Sequence, residues 1–196
     1  MGMLNLFLLQ FSFSCGNTSM ESWYLVSHKA GRDNLFRAEL SLHRRNLNFF
    51  SPRVRLARER ADRPGSRGII EPLFYGYLFI ELDPEIIHPV KIEEECAGIS
   101  HFVRYGNEIK PIPDYIMDEM MSLPLCSDAE TRMKSRRQQA RERKKRYAAL
   151  QRTCPDYEQT TRHIRNIVNN PDRDVRITMF LALTEGLSRH LLKESV

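Results

Sequence analysis

Two sets of residues in this 196-residue chain have types and spacing suited to acting on another molecule. The first is cationic: Lys29, Arg37, His43, Arg44 and Arg45. Cations gathered along one helix neutralise phosphates and release their counterions, and a guanidinium plane can also lie on an unstacked base. Arg37 and Arg45 are eight positions apart, so they share a region of the helix without touching. The second set is aromatic: Phe74, Tyr75, Tyr77 and Phe79. Alternate strand residues face opposite sides, which puts Tyr75, Tyr77 and Phe79 on one face and Phe74, Leu78 and Ile80 on the other. Two apolar faces on one strand need two apolar partners. One is the core. The other is a helix of the same chain or a second protein, since large aromatics are enriched at interface hot spots.

Catalysis has little support. Ser100 and His101 are neighbours in a strand-like run and should point to opposite sides, which makes a poor Ser-His pair. Glu93, Glu94 and Glu95 lack a matching set of metal ligands. The four cysteines, Cys15, Cys96, Cys126 and Cys154, contain no C-x-x-C pair, which argues against a zinc ribbon or a thioredoxin-like site. No glycine-rich phosphate cradle is present. The reading is of a non-enzymatic, cofactor-free and metal-free protein in a reducing, cytoplasmic setting. With 41% hydrophobic residues the chain can bury a core, so a wholly disordered protein is excluded.

Charge is unevenly placed. Residues 132–146 hold nine Lys or Arg against Glu142 alone, which gives that stretch +8 and leaves −3 of the overall +5 for the rest. Arg136, Arg137, Arg143, Lys144 and Lys145 are the centre of this basic tail, a candidate surface for RNA, DNA or an acidic protein face. The first aromatic inside it is Tyr147, so base stacking is not its obvious mode. At the other end, the apolar run from Met3 to Phe13 is too short to span a bilayer and has no basic residue before it. Residues 1–19 are read as a non-native or disordered extension, with Met20 as the expected native start.

Residues 20–125 read as an α+β domain. Trp23 to Ser27 is strand-like. Leu35, Phe36, Ala38, Leu42 and Leu47 recur at helical spacing. Phe49-Phe50 with Val54 to Leu56 suggests a second strand, and Arg58 to Arg67 a hairpin tip or open loop. Tyr75 to Leu82 is the strongest strand. Pro84 to Ile92 is ambiguous, with Pro89 arguing against a long helix. Ser100 to Tyr105 is a further short strand, and Asp114 to Leu123 a short helix. Residues 126–196 read as helical: a charged stretch to Leu150, a helix over Tyr157 to Val168, and a last helix capped by Asp172 or Asp174. In that last helix Met179, Phe180 and Leu183 are too apolar to stay bare. They either pack on the preceding helix or cover the Tyr77 and Phe79 surface.

The strings SWYLV at Ser22 to Val26, EPLFYGYLFIELDPE at Glu71 to Glu85 and SHFVRYG at Ser100 to Gly106 resemble the NusG family of bacterial transcription factors. The similarity is greatest to its RfaH-like antiterminator branch and covers Met20 to about Met121. It implies a four-stranded antiparallel sheet flanked by helices. It also implies binding to the clamp helices of the largest subunit of core RNA polymerase, with Tyr77 and Phe79 at matching positions and Phe74 a further candidate contact. His88 matches the first residue of a segment that touches the opposite pincer, while Pro89 and Val90 depart from it. Lys29, Arg44 and Arg45 match positions that meet the non-template DNA strand. Cys96 and Ala97 depart from the polar and basic pair there, and Gly98 matches. The usual KOW barrel has no counterpart after Ser127, where all-helical sequence follows; some conjugation-associated relatives have divergent tails.

The expected function is a monomeric transcription antitermination and elongation factor that reduces pausing. RNA and ribosomal components are further candidate partners, and a membrane is not expected. The alternative is a nucleic-acid-binding adaptor acting through the basic tail. A weaker third reading is an RNA-processing enzyme without a visible site.

Overall fold

The computed structural model describes residues 21–31, 33–59, 66–123 and 157–194, together with isolated helical positions between 138 and 149. Residues 1–19 and most of the basic tail, including Arg136, Arg137 and Arg143, lie outside the described residues. Lys144 and Lys145 are helical and exposed.

The central sheet is four-stranded and antiparallel, in the order β2-β5-β1-β6. β1 (Ser22–His28) and β5 (Tyr77–Leu82) form its middle, in register from Ser22 opposite Leu82 to Ser27 opposite Tyr77. β2 (Asn48–Phe50) and β6 (Ile99–Phe102) are its edges. Ser51 and Pro52 end β2, because proline cannot donate to a ladder. The next run, β3 (Arg53–Glu59), therefore leaves the sheet and pairs with β4 (Ser66–Pro72) as a separate hairpin. The single second strand expected from the sequence is thus two strands in two sheets. The run from Ser100 to Tyr105 is likewise divided, into β6 and the first strand of the small hairpin β7 (Arg104–Tyr105) and β8 (Glu108–Ile109).

Period-2 alternation in the middle strands sorts their side chains into two cores. Tyr24, Val26, Leu78 and Ile80 face one side, where Ala38 and Leu42 of α1 (Asn34–Arg44) and Ile92 of α2 (Pro89–Glu95) cover them. Pro89 does not oppose α2. It occupies the first helical turn, where its missing N–H is no loss, and His88 caps the helix. Gly98 lets α1 approach the chain after α2. Its φ is +90°, and a Cβ there would lie 2.5 Å from the Asn34 carbonyl oxygen.

Trp23, Leu25 and Phe79 face the other side. α3 (Asp114–Met121) covers part of it through Ile116, Met117 and Met120. The rest is covered by the C-terminal helices α4 (Tyr157–Asn169) and α5 (Arg173–Glu194). α4 buries Tyr157, Thr160, Thr161, Ile164 and Ile167, one stripe at helical spacing. The Asp172 side chain caps α5, accepting from the backbone N–H of Asp174 at 2.8 Å and of Val175 at 3.2 Å. Those two bonds hold its carboxyl below the usual aspartate range.

Candidate functional site

Glycine decides where the aromatic residues point. Residues 73–76 form a turn before β5, and Gly76 takes φ +87°, a conformation disfavoured with a side chain. The alternation therefore starts at Tyr77 rather than Tyr75. Tyr77 and Phe79 share a face as expected, and Leu78 and Ile80 take the opposite one. Phe74 differs from expectation. The turn brings it onto the Phe79 side, where the two rings meet edge to face at 6.0 Å. Tyr75 stays half exposed, with the Arg173 guanidinium carbon 4.7 Å from its ring centroid.

This aromatic face is not open. Phe74 is 1% exposed and Phe79 0%, so of the two partners open to this face, a helix of the same chain or a second protein, the helix is the one present. The residue that closes it is Phe180 of α5, 4.6 Å from the Phe74 ring and 5.6 Å from that of Phe79, the latter at 88°. Both alternatives raised for the last helix are realised: α5 packs along α4 and also covers the aromatic face. Full burial of a phenylalanine contributes about 1.5–3 kcal/mol, and edge-to-face pairs add about 0.5–1.5 kcal/mol each.

Arg176 lies one turn before Phe180 and is completely buried. Its Nη2 donates to Glu71 Oε1 at 2.6 Å and its Nε to the Leu73 carbonyl at 2.8 Å. Nη1 donates to the carbonyl of Asn170 at 3.0 Å, with that of Pro171 at 3.5 Å. One guanidinium thus joins β4, the turn into the aromatic strand and the α4–α5 connection. One further turn along, the Thr184 hydroxyl meets the Tyr105 hydroxyl of the β7–β8 hairpin. Burial pushes the Tyr105 phenol up, while the contact with Thr184 opposes that shift. Arg176 was missed from sequence. The available signal was a cation at i, i+4, i+8 spacing with Phe180 and Thr184, on a face that must be buried.

The cationic set lies across the sheet from this cover. Lys29, Arg37, His43 and Arg44 are exposed. Arg37, His43 and Arg44 share the outward side of α1, opposite Ala38 and Leu42. Arg45 turns away and pairs with Glu95 at 2.6 Å, tying the end of α1 to α2. His88 is exposed but spends Nδ1 on the Val90 N–H at 3.3 Å, with exposed Ile86 and Val90 beside it. Ser100 Oγ and His101 Nδ1 are 3.1 Å apart, contrary to strict alternation, and both are exposed on edge strand β6. Among the described residues there is no cluster of three or more His, Cys, Asp or Glu placed to hold a metal, and no helix long and apolar enough to cross a membrane.

The fold thus places an aromatic face, closed by α5, on one side of the sheet and the cationic face of α1 on the other. The family profile described as "Transcription termination factor nusG" matches residues 21–121, just over half the chain, and the protein belongs to the NusG family of transcription factors. Among solved structures it is similar to one titled "Domain interaction in Thermotoga maritima NusG", at 20% identity and a TM-score of 0.33. That match covers 55% of this chain and 59% of the other, so the similarity spans about three-fifths of the Thermotoga maritima chain.

Proposed function

We propose that this protein is an RfaH-like transcription elongation and antitermination factor that exists in a closed form. In this reading Phe74, Tyr77 and Phe79 bind the clamp helices of RNA polymerase once α4 and α5 have moved away. The α1 cations then meet the non-template DNA strand. A ligand that prefers the closed polymerase clamp raises its occupancy and so reduces pausing.

The observation that carries this reading is the identity of the cover. The rings are closed chiefly by Phe180, 71 positions beyond Ile109 at the end of β8, and not by α1 or α2. A core that must never open is best filled by apolar side chains. This cover instead buries Thr160, Thr161, Arg176 and Thr184, and the Thr161 hydroxyl is buried without a partner. An unsatisfied hydroxyl costs about 1–3 kcal/mol, which favours a cover that can leave.

The test is capture of core RNA polymerase. Phe180→Ala in the full chain should increase capture. Adding Tyr77→Ala and Phe79→Ala should abolish it, with circular dichroism reporting that the sheet remains. Equal capture by wild type and Phe180→Ala would count against masking. Capture that survives loss of both rings would count against the aromatic face as the contact. Run-off transcription past a pause site then reads the effect on elongation.

A further inference from the structure

Phe36 and Leu40 stand on the outward side of α1, at 66% and 39% exposure. Ala38 and Leu42 of the same helix are fully buried, and at 100° per residue the direction opposite them falls on Leu40. Phe36, His43, Arg37 and Arg44 flank it. Leu40 is four positions from both Phe36 and Arg44, and Phe36 is seven from His43, so they are neighbours along one stripe. Two observations define what fits this stripe. No ion pair engages Arg37, His43 or Arg44 among the described residues, whereas Arg45 of the same helix is paired with Glu95. The largest apolar group beside these cations is an aromatic ring held out in water.

A purely apolar partner would leave the cations unsatisfied, and a duplex would offer phosphates but hide its base faces. A single DNA strand offers both phosphate and an accessible ring. We infer that Phe36 is a stacking platform for an unpaired base of single-stranded DNA, with Arg37 and Arg44 holding the adjacent phosphates. The inference rests on the proposed reading of α1 as the DNA-facing helix and adds an aromatic contact to it. The stripe lies on the opposite side of the sheet from α4 and α5, so the platform is available while the aromatic face is covered.

The experiment is fluorescence anisotropy of the full chain with a labelled single-stranded 20-mer at low salt. Aromatic–base stacking is sequence-tolerant and lost on truncation to alanine. Phe36→Ala should therefore weaken binding about tenfold while leaving the salt slope unchanged. Arg37→Ala with Arg44→Ala should flatten the slope by roughly one to two units, because phosphate contacts set it. Phe36→Trp should retain affinity, and its emission should be quenched by the strand. Trp23, the single natural tryptophan, is buried and gives the background. On the matched duplex, where base faces are hidden, the Phe36→Ala penalty should vanish. An unchanged affinity for Phe36→Ala, an unquenched Phe36→Trp, or an equal penalty on duplex overturns the stacking role. If the arginine variants still lose affinity, the DNA-facing reading of α1 survives that outcome. If the wild type binds no strand at all, both fall.

Discussion

Arg176 and Glu71 meet at 2.6 Å across 105 positions of sequence, and the guanidinium has no contact with solvent. A charge this deep is tolerated only when its donors are used, and three of its nitrogens find acceptors. The pair therefore specifies how α5 docks: a helix rotated by one residue would leave a bare cation against Phe74.

Arg176→Ala is predicted to weaken the docked state by about 3 kcal/mol, the low end for a broken buried pair because Glu71 keeps some contact with water. Hydrogen exchange of the full chain should show faster exchange in α4 and α5 while β1 and β5 keep their protection. Unaltered exchange in α4 and α5 would show that the pair does not hold the cover.

Phe180→Ala should cost about 3–5 kcal/mol, the range for truncating a buried phenylalanine. Since the ring lies between Phe74 and Phe79, the exposed consequence is an apolar face. Binding of a hydrophobic dye should rise with far-ultraviolet circular dichroism largely kept. Phe180→Leu should give a smaller rise. A dye signal equal to that of the wild type would contradict the closing role of Phe180.

Gly98 and Gly76 both have positive φ, but only one is crowded. A Cβ at Gly98 meets Asn34 O at 2.5 Å and Ala38 N at 2.6 Å, while one at Gly76 meets nothing within 4 Å. Gly76→Ala should cost about 1–2 kcal/mol from backbone strain alone. Gly98→Ala adds displacement of α1, and its loss of Tm should be at least twice as large. Similar losses would mean that α1 shifts at no cost.

Glu39 on α1 is half-buried, and burial pushes its carboxyl up, with Arg53 and His28 opposing that shift. A raised folded pKa means that the ionised form is disfavoured by the fold. The penalty is absent below the unfolded value of about 4.3. It develops as pH rises through the folded value. Glu39→Gln should therefore raise Tm at pH 7 and not at pH 3.5. A gain of equal size at both would assign the effect to something other than ionisation.

The central strands were legible because Trp23 to Val26 and Tyr77 to Ile80 are short continuous runs of aromatic and aliphatic residues, the pattern of a strand buried on both faces. The helices over Asp114 to Met121 and Tyr157 to Asn169 were legible from their apolar spacing, and Asp172 from its capping chemistry. Ser51-Pro52 was harder. A proline break is visible in sequence, but whether the chain resumes the same ladder or leaves it depends on the competing neighbour, here β5 on one side and β4 on the other. Phe74 was misplaced because alternation holds only inside a strand, and the turn at 73–76 resets the phase.

By itself, then, the order of residues determined a sheet with helices, an aromatic strand, a cationic α1 and an apolar last helix, since each follows from local spacing. Only the tertiary structure decided that the last helix lies on the aromatic strand, that Arg176 reaches Glu71, and that among the described residues Arg45 has an ion-pair partner while Arg37 and Arg44 have none. Those are contacts between segments far apart in sequence. Periodicity tells which face of an element must be covered, but the partner that covers it is selected by shape and charge across the folded chain.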